Sequence, residues 1–254
     1  MNVICSYYYY GLFIWIGLAI ITFSYLLICQ PSTYGRHIKQ NTFCIDNRLG
    51  WFLMELPTVI LMPLFFFLGS LEYNVVTFSF VIIYIIHYFN RVFIYPFRIR
   101  TKNKKIPLSI VLSAIFFNIL NTFFIGYYFG SITPLYTMNW FYSPFFITGF
   151  LVFITGFYIN YNSDMILINL RKKSEKGYKI PFGGFFRYVS CPNHFGEIIE
   201  WLGFAILTCS LPTLAFLIWT IANLLPRAIK HHYWYRKKFS DYPKERKIII
   251  PYIF

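Results

Sequence analysis

Apolar residues fall into seven long runs separated by short polar segments. The runs cover residues 8–29, 51–69, 74–95, 106–129, 140–161, 195–211 and 212–229. A helix needs about 20 apolar residues to cross the hydrocarbon core of a bilayer, and most of these runs reach that length. The sixth run is shorter and carries two glutamates. The pattern predicts an all-α integral membrane protein whose single domain, residues 1–254, is a seven-transmembrane helix bundle.

The basic residues lie at or after the ends of the first, third, fifth and seventh apolar runs. All 23 Lys and Arg residues lie in four segments, at 36–48, 91–105, 171–187 and 227–247. Because positively charged loops stay in the cytosol, we expect the amino terminus outside and the carboxyl terminus in the cytosol. The abundance of Phe, Tyr, Ile, Asn and Lys suggests an AT-rich genome. We therefore expect a multi-pass protein of a bacterial inner membrane, or of the endoplasmic reticulum in a eukaryote, with membrane lipids as partners.

The composition excludes several classes of protein. Hydrophobic residues make up 57% of the chain and charged residues 13%, which is unlike a soluble enzyme or a disordered chain. Neither a Gly-x-Gly-x-x-Gly motif nor a Walker-type loop occurs, so the usual soluble nucleotide sites are absent. The five cysteines form no close pair and no metal-type spacing, and we expect no bound metal. Without a soluble basic module, we also expect no nucleic-acid partner.

Glu55 stands in the apolar second run, in the sequence Trp51-Phe52-Leu53-Met54-Glu55-Leu56-Pro57. An ionisable residue inside a membrane span is costly and is therefore a candidate for function. A buried carboxyl group without a cation nearby tends to keep its proton, so that Glu55 could donate a hydrogen bond. The alternative is a protonated glutamate that only bonds to a neighbouring helix.

The end of the third run carries Tyr88, Arg91 and Tyr95, at positions i, i+3 and i+7 of one predicted helical face. A tyrosine hydroxyl can donate to a carbonyl oxygen, and an arginine can bind a phosphate or carboxylate. The alternative is an interfacial aromatic belt with an arginine that extends to the membrane surface.

Two further groups of polar residues lie near predicted cytosolic ends. Asn160 and Asp164 are four residues apart, and Arg171 follows seven residues later. Amides and carboxylates suit ribose hydroxyls or an amide, although helix capping would explain them equally well. In the sixth run Asn193 and Glu197 share a helical face, and Gly183-Gly184 before it permits a tight turn.

The cytosolic end of the seventh run repeats the pattern. Arg227, His231 and Tyr235 are at i, i+4 and i+8 of one face. Together these polar faces indicate an amphipathic cavity that takes a nucleotide cofactor from the cytosol and an apolar substrate from lipid. For the apolar residues 248–254 we expect an interfacial anchor.

These residues resemble the steroid 5-alpha-reductase family. The resemblance is carried by Glu55-Leu56-Pro57, His87-Tyr88-Phe89-x-Arg91, the segment from Gly177 to Trp201, Arg227-Ala228, His231, Tyr235, Asp241-Tyr242-Pro243-Lys244, Arg246-Lys247, Ile250-Pro251 and Phe254. It covers most of the chain and is most specific in the carboxyl half, about residues 106–254.

The resemblance implies an integral-membrane reductase that uses NADPH to reduce the Δ4 double bond of 3-oxo steroids. It implies that Glu55 and Tyr88 bind the substrate carbonyl, and that Trp51 and Phe216 line the steroid pocket. The implied cofactor-binding residues are Arg91, Tyr95, Asn160, Asp164, Arg171, Tyr178, Asn193, Glu197, Arg227, His231 and Tyr235. Met54 departs from the family, in which the residue before the glutamate is often a glutamine.

The mechanism that follows is hydride transfer to the β-carbon of an enone, with the developing enolate oxygen stabilised by Tyr88 and protonated Glu55. We expect a monomer. Two enzyme alternatives remain: an enoyl-thioester reductase acting on acyl-CoA, and an isoprenylcysteine methyltransferase using S-adenosylmethionine. A third alternative is a proton-coupled transporter that uses buried carboxyl groups as a relay.

Overall fold

The computed structural model describes residues 3–29, 43–72, 74–100, 104–133, 136–170 and 177–254. The helices are α1 Val3–Ile28, α2 Asn47–Phe67, α3 Val75–Phe89, α4 Tyr95–Arg98, α5 Leu108–Tyr127, α6 Pro144–Asn169, α7 Pro192–Thr208 and α8 Leu211–Lys238. Short 3-10 turns cover Met138–Tyr142 and Gly184–Arg187, and two short strands, β1 Cys44–Asp46 and β2 Lys105–Pro107, form an antiparallel ribbon. The ribbon was not predicted.

Within these described ranges, six helical segments are long and apolar enough to cross a membrane. They are Cys5–Ile28, Asn47–Phe67, Val75–Arg98, Leu108–Ile132, Pro144–Asn169 and Leu211–Lys238. The prediction of a helical, multi-pass membrane protein is therefore confirmed. The sixth predicted run corresponds to α7, which has 17 residues and is not among the six. The count of seven spans and the orientation of the termini remain predictions.

The chain forms two compact units. Unit 1 comprises Met1–Phe13 with Ser32–Ser143, and unit 2 comprises Ile14–Pro31 with Pro144–Phe254. Helix α1 contributes to both units. In unit 1 the hydroxyl of Tyr8 donates to the carbonyl oxygen of Phe124 at 2.6 Å. In unit 2 the indole of Trp219 donates to the carbonyl oxygen of Trp15 at 3.0 Å.

Helices α2 and α5 of unit 1 run parallel and in close contact. The β1–β2 ribbon directly precedes both helices and holds their first turns side by side. Farther along, a Cβ atom on Gly126 would lie 2.9 Å from the Cβ of Phe65, and one on Gly130 would lie 2.4 Å from the carbonyl oxygen of Phe66. Glycine is therefore required at these two positions for the backbones to approach.

The third apolar run is not one continuous α-helix, as the sequence pattern predicted. A π-helical turn, Asn90–Ile94, separates α3 from α4, and the amide of Tyr95 bonds to the carbonyl oxygen of Asn90. Pro96 is the second residue of α4 and has no amide hydrogen, so α-helical bonding cannot pass unbroken through this point. The i, i+3, i+7 spacing of Tyr88, Arg91 and Tyr95 consequently does not describe one α-helical face.

In unit 2, α6 and α7 form a tightly packed antiparallel pair. Four glycines lie in the contact, and a Cβ atom on any of them would lie 2.2–2.3 Å from a backbone nitrogen of the other helix. They are Gly149 and Gly156 on α6, and Gly196 and Gly203 on α7. Each pair is seven residues apart, which is close to two helical turns, so the glycines form one stripe along each helix.

The carboxyl-terminal tail packs on unit 2. Val189 forms a parallel bridge with Lys247, and the hydroxyl of Ser190 lies 2.6 Å from that of Tyr242. Ile249 is buried in a small cluster beside α7 and α8. The prediction of an interfacial anchor for residues 248–254 is therefore wrong for Ile249, whereas Tyr252, Ile253 and Phe254 at the end of the chain are exposed.

Candidate active site

Glu55 lies on α2 of unit 1, where its half-buried side chain contacts α5. The amide nitrogen of Asn118 donates to the Glu55 Oε2 atom at 3.2 Å and to the carbonyl oxygen of Met54 at 2.6 Å. Within α2, the Thr58 hydroxyl donates to the carbonyl oxygen of Glu55 at 2.6 Å. Asn118 therefore fixes the Glu55 carboxyl group against the helix that carries it.

Tyr88 is buried near the end of α3, with only 5% of its surface exposed. Its ring lies 4.6 Å from the ring of Tyr84, one turn earlier, and the two side chains hydrogen-bond to each other. The Tyr84 hydroxyl also lies 3.4 Å from that of Thr122 on α5. Glu55 is close enough to Tyr84 to interact with it electrostatically. These contacts join α2, α3 and α5 through one polar cluster.

Three of the predicted residues form a stacked group at the π-helical turn. The Arg91 guanidinium lies 4.9 Å from the ring centroid of Trp51 and 4.7 Å from that of Tyr95. The two rings meet edge to face at 5.2 Å. Arginine stacks on aromatic faces through its planar guanidinium, so this group combines an apolar wall with a fixed positive charge.

Helix α5 carries three polar residues that were not predicted to belong to the site. Asn118, Asn121 and Thr122 are all buried, and their i, i+3 and i+4 spacing puts them on one face of an otherwise apolar helix. Their spacing is visible in the sequence. The rule that a polar residue within a membrane span is a candidate for function would have identified them.

Unit 2 brings four predicted residues into direct contact across α6 and α7. The amide of Asn160 donates to the backbone oxygen of Asn193 at 3.0 Å and to Glu197 Oε2 at 3.4 Å. The amide of Asn193 donates to Asp164 Oδ1 at 3.2 Å. Helix α6 continues to Asn169, so capping does not explain Asn160 and Asp164, which are buried within the helix. The four side chains form an amide–carboxylate cluster.

The glycine stripe positions this cluster. Gly196 lies opposite Asn160, and Gly156 lies opposite Glu200, one turn beyond Glu197 on α7. The small residues let the two backbones approach so closely that short side chains such as Asn and Asp can bond across the contact. The seven-residue spacing of the glycines is visible in the sequence and was not recognised there.

Helix α8 is longer than the seventh apolar run and includes Arg227, His231 and Tyr235. The prediction that these three residues share a helical face is therefore consistent with the structure. Arg227 is exposed, whereas His231 and Tyr235 are half-buried. The His231 ring lies 6.1 Å from that of His194 on α7.

The remaining predicted residues are distributed over the chain. In unit 2, Tyr178 meets Trp234 edge to face at 4.9 Å, and Phe216 is buried 4.4 Å from the ring of Trp201. The predicted turn before α7 is confirmed, since Gly183 and Gly184 have φ values of 95° and 49°. Arg171 lies outside the described residues.

The two units offer different chemistry. Unit 1 provides hydroxyl, carboxyl and amide groups among apolar side chains, which suits an apolar ligand with a polar oxygen. The amide–carboxylate cluster of unit 2 suits ligand hydroxyl and amide groups, because a carboxylate accepts several hydrogen bonds and an amide both donates and accepts.

The chain is similar over most of its length to proteins of one known family. Residues 104–254 match the 3-oxo-5-alpha-steroid 4-dehydrogenase family profile. The chain is 39% identical to the steroid 5-alpha-reductase DET2 of Solanum lycopersicum over 249 residues, which cover 95% of this chain and 96% of the relative. It is 40% identical to the 3-oxo-5-alpha-steroid 4-dehydrogenase 1 of Rattus norvegicus, over 87% of this chain and 86% of the relative.

A third relative, the steroid 5-alpha-reductase DET2 of Arabidopsis thaliana, is 41% identical over 90% of each chain. Matches of this extent include parts of both units. The chain therefore belongs to the 3-oxo-5-alpha-steroid 4-dehydrogenase family of oxidoreductases, which act on CH–CH bonds.

Proposed function

We propose that this protein is a membrane-embedded, NADPH-dependent reductase of the Δ4 double bond of 3-oxo steroids. The observation that carries the proposal is the match, at 39–41% identity and over nine tenths of the chain, to relatives named steroid 5-alpha-reductase. The apolar helices agree with a substrate that enters from lipid.

In the proposed reaction C5 of the substrate accepts a hydride, C4 accepts a proton, and the C4–C5 double bond becomes single. Negative charge develops on the C3 oxygen before C4 is protonated. Tyr88 and a protonated Glu55 each donate a hydrogen bond to that oxygen. Donors that are already oriented in a dry site stabilise such charge without reorganisation, and losing one typically lowers turnover about 10²–10³-fold. The bond from Asn118 supports this role, because it restrains the Glu55 carboxyl group.

The amide–carboxylate cluster of unit 2 fits a dinucleotide. Asn160, Asp164, Asn193 and Glu197 would hold its amide and ribose hydroxyl groups, since a carboxylate can accept several hydrogen bonds and an amide both donates and accepts. Tyr178, Arg227, His231 and Tyr235 of the same unit would bind it too, with Arg171 at its 2′-phosphate. The family resemblance adds Arg91 and Tyr95 to the proposed cofactor-binding residues. When bound, NADPH supplies the hydride.

The proposal is tested by reduction of a Δ4-3-oxo steroid by the purified protein with NADPH. Glu55→Gln and Tyr88→Phe should each lower turnover about 10²–10³-fold. Glu72→Gln and Tyr158→Phe are matched controls at exposed positions and should leave turnover unchanged.

Two outcomes would count against the proposal. Full turnover in both variants would remove Glu55 and Tyr88 from the mechanism. A wild-type protein that reduces an enoyl-CoA and no steroid would replace the proposed substrate with a thioester.

A further inference from the structure

The buried polar face of α5 has a partner for two of its three residues. Asn118 bonds to Glu55 and to the backbone of α2, and Thr122 meets the hydroxyl of Tyr84. Asn121 lies between them on the same face and is 1% exposed. The polar face of α5 therefore contacts Glu55 through Asn118 and extends one turn farther along α5.

The amide nitrogen of Asn121 is completely enclosed and has no hydrogen-bond partner among the described residues. A buried N–H group without an acceptor is costly, and native structures satisfy most such groups. In a membrane protein the cost is not relieved by bulk water. An N–H donor without an acceptor at this depth therefore indicates a ligand atom that accepts its hydrogen bond.

The position of the donor identifies that ligand atom. The side chains of Asn121 and Tyr88 both lie close enough to the Tyr84 hydroxyl to interact with it, so the two side chains surround the same hydroxyl group. The contacts Phe80–Phe129 and Tyr84–Thr122 run in opposite sequence directions, so α3 and α5 are antiparallel here. Tyr88 is consequently at the level of Asn118, whose amide donates to Glu55. Asn121 is thus about one helical turn from the pair proposed to bind the substrate oxygen.

We propose that Asn121 is a third donor of the substrate site, and that its NH₂ group donates to the same carbonyl oxygen as Tyr88 and Glu55. The inference rests on the proposed function. The carbonyl oxygen is the acceptor that an otherwise apolar enone brings into such a site. An oxygen that gains negative charge accepts an additional donor readily, so the bond is strongest when the charge has developed.

The test replaces Asn121 with Leu, which has nearly the same shape and no donor. The main readout is the infrared stretch of the C3 carbonyl in a bound ¹³C-labelled 3-oxo steroid, because each hydrogen bond lowers that frequency. We expect the band of Asn121→Leu to move to higher frequency than in the wild type. We also expect the preference for the ketone over its 3-deoxy counterpart to fall about 2–10-fold, the usual value of a neutral hydrogen bond, and turnover to fall further.

Asn121→Gln keeps an amide donor and should recover part of the carbonyl shift, which a purely structural role would not produce. Thr77→Val is the matched control, since the Thr77 hydroxyl is buried and bonded within its own turn to the carbonyl oxygen of Asn74. It should leave the band and the ketone preference unchanged. If the leucine variant does not fold, Asn121→Ala serves for the same comparison.

The outcomes separate this inference from the proposed function. A wild-type protein that reduces the steroid, together with an unmoved carbonyl band and an unchanged ketone preference in the Asn121 variants, would overturn the inference alone. A wild-type protein that neither binds nor reduces the steroid would overturn both.

Discussion

A single methyl group at Gly196 should separate the helices that hold the amide–carboxylate cluster. A Cβ atom at this position would lie 2.3 Å from the backbone nitrogen of Asn160 and 2.8 Å from the carbonyl oxygen of Gly156. Both neighbours are backbone atoms of α6, so no side chain can rotate away. Gly196→Ala therefore requires the helices themselves to move.

The size of the movement follows from these distances. Ordinary contacts of a Cβ atom begin at 3.4 Å, so the helices must separate by about 1.1 Å, the difference between 3.4 and 2.3 Å. The bond from Asn160 to the Asn193 backbone oxygen, now 3.0 Å, would lengthen to about 4 Å and be lost. The weaker contact with Glu197 would be lost with it. Overpacking costs about 1–3 kcal/mol, and bonds to a charged group about 1.5–3 kcal/mol.

Thermal unfolding in detergent and fluorescence titration with NADPH would measure both consequences. We expect Gly196→Ala to lower the unfolding temperature and to weaken NADPH binding about tenfold or more, since about 1.4 kcal/mol corresponds to a factor of ten. Gly17→Ala on α1 is the matched control, because a Cβ atom there meets nothing within 4 Å. It should be neutral or slightly stabilising, as alanine favours a helix over glycine.

Unchanged NADPH affinity in Gly196→Ala, in a protein that still unfolds at a lower temperature, would refute the reasoning. The close helix contact would then support only the fold, and the amide–carboxylate cluster would not bind the cofactor. An unchanged unfolding temperature would show that α6 and α7 do not approach as closely as these distances indicate.

Two further predictions concern the cofactor phosphate and the tail. Arg171→Ala should weaken NADPH binding more than NADH binding, because the basic side chain is proposed to pair with the 2′-phosphate that only NADPH carries; an equal loss for both cofactors would argue against this role. Ser190→Ala should lower the free energy of unfolding by about 1–3 kcal/mol, because the buried His232 and Tyr242 side chains, each 2.6 Å from the Ser190 hydroxyl, would lose a partner. Denaturation of the purified variant would measure this loss, and wild-type stability would contradict it.

The hydrophobic pattern alone located the helices. The predicted run at 106–129 compares with α5 at Leu108–Tyr127, and the run at 51–69 with α2 at Asn47–Phe67. The pattern is sufficient because a chain in lipid must pair its backbone N–H and C=O groups within each segment, so that a long apolar run defines a helix. The pattern was less accurate for α8, which continues to Lys238, because a helix that leaves the apolar region no longer needs apolar residues.

The sequence also identified single residues that are costly to bury, such as Glu55 and Asp164, because the cost of a polar group in lipid does not depend on its neighbours along the chain. It could not show which groups meet. The bond from Asn118 to Glu55 joins residues 63 positions apart, and the bond from Asn193 to Asp164 joins two helices. Such pairings depend on helix packing, which residue type alone does not determine.

Local geometry that depends on packing was likewise decided only by the tertiary structure. The π-helical turn at Asn90–Ile94 interrupts a run that the hydrophobic pattern predicts as one continuous helix, and the enclosed amide of Asn121 becomes unusual only when its surroundings are known. The sequence by itself determined that the chain is helical and apolar and that it contains a few polar residues that are costly to bury. The tertiary structure decided which of those residues share a cluster, because contacts between helices are set by the shapes of both surfaces.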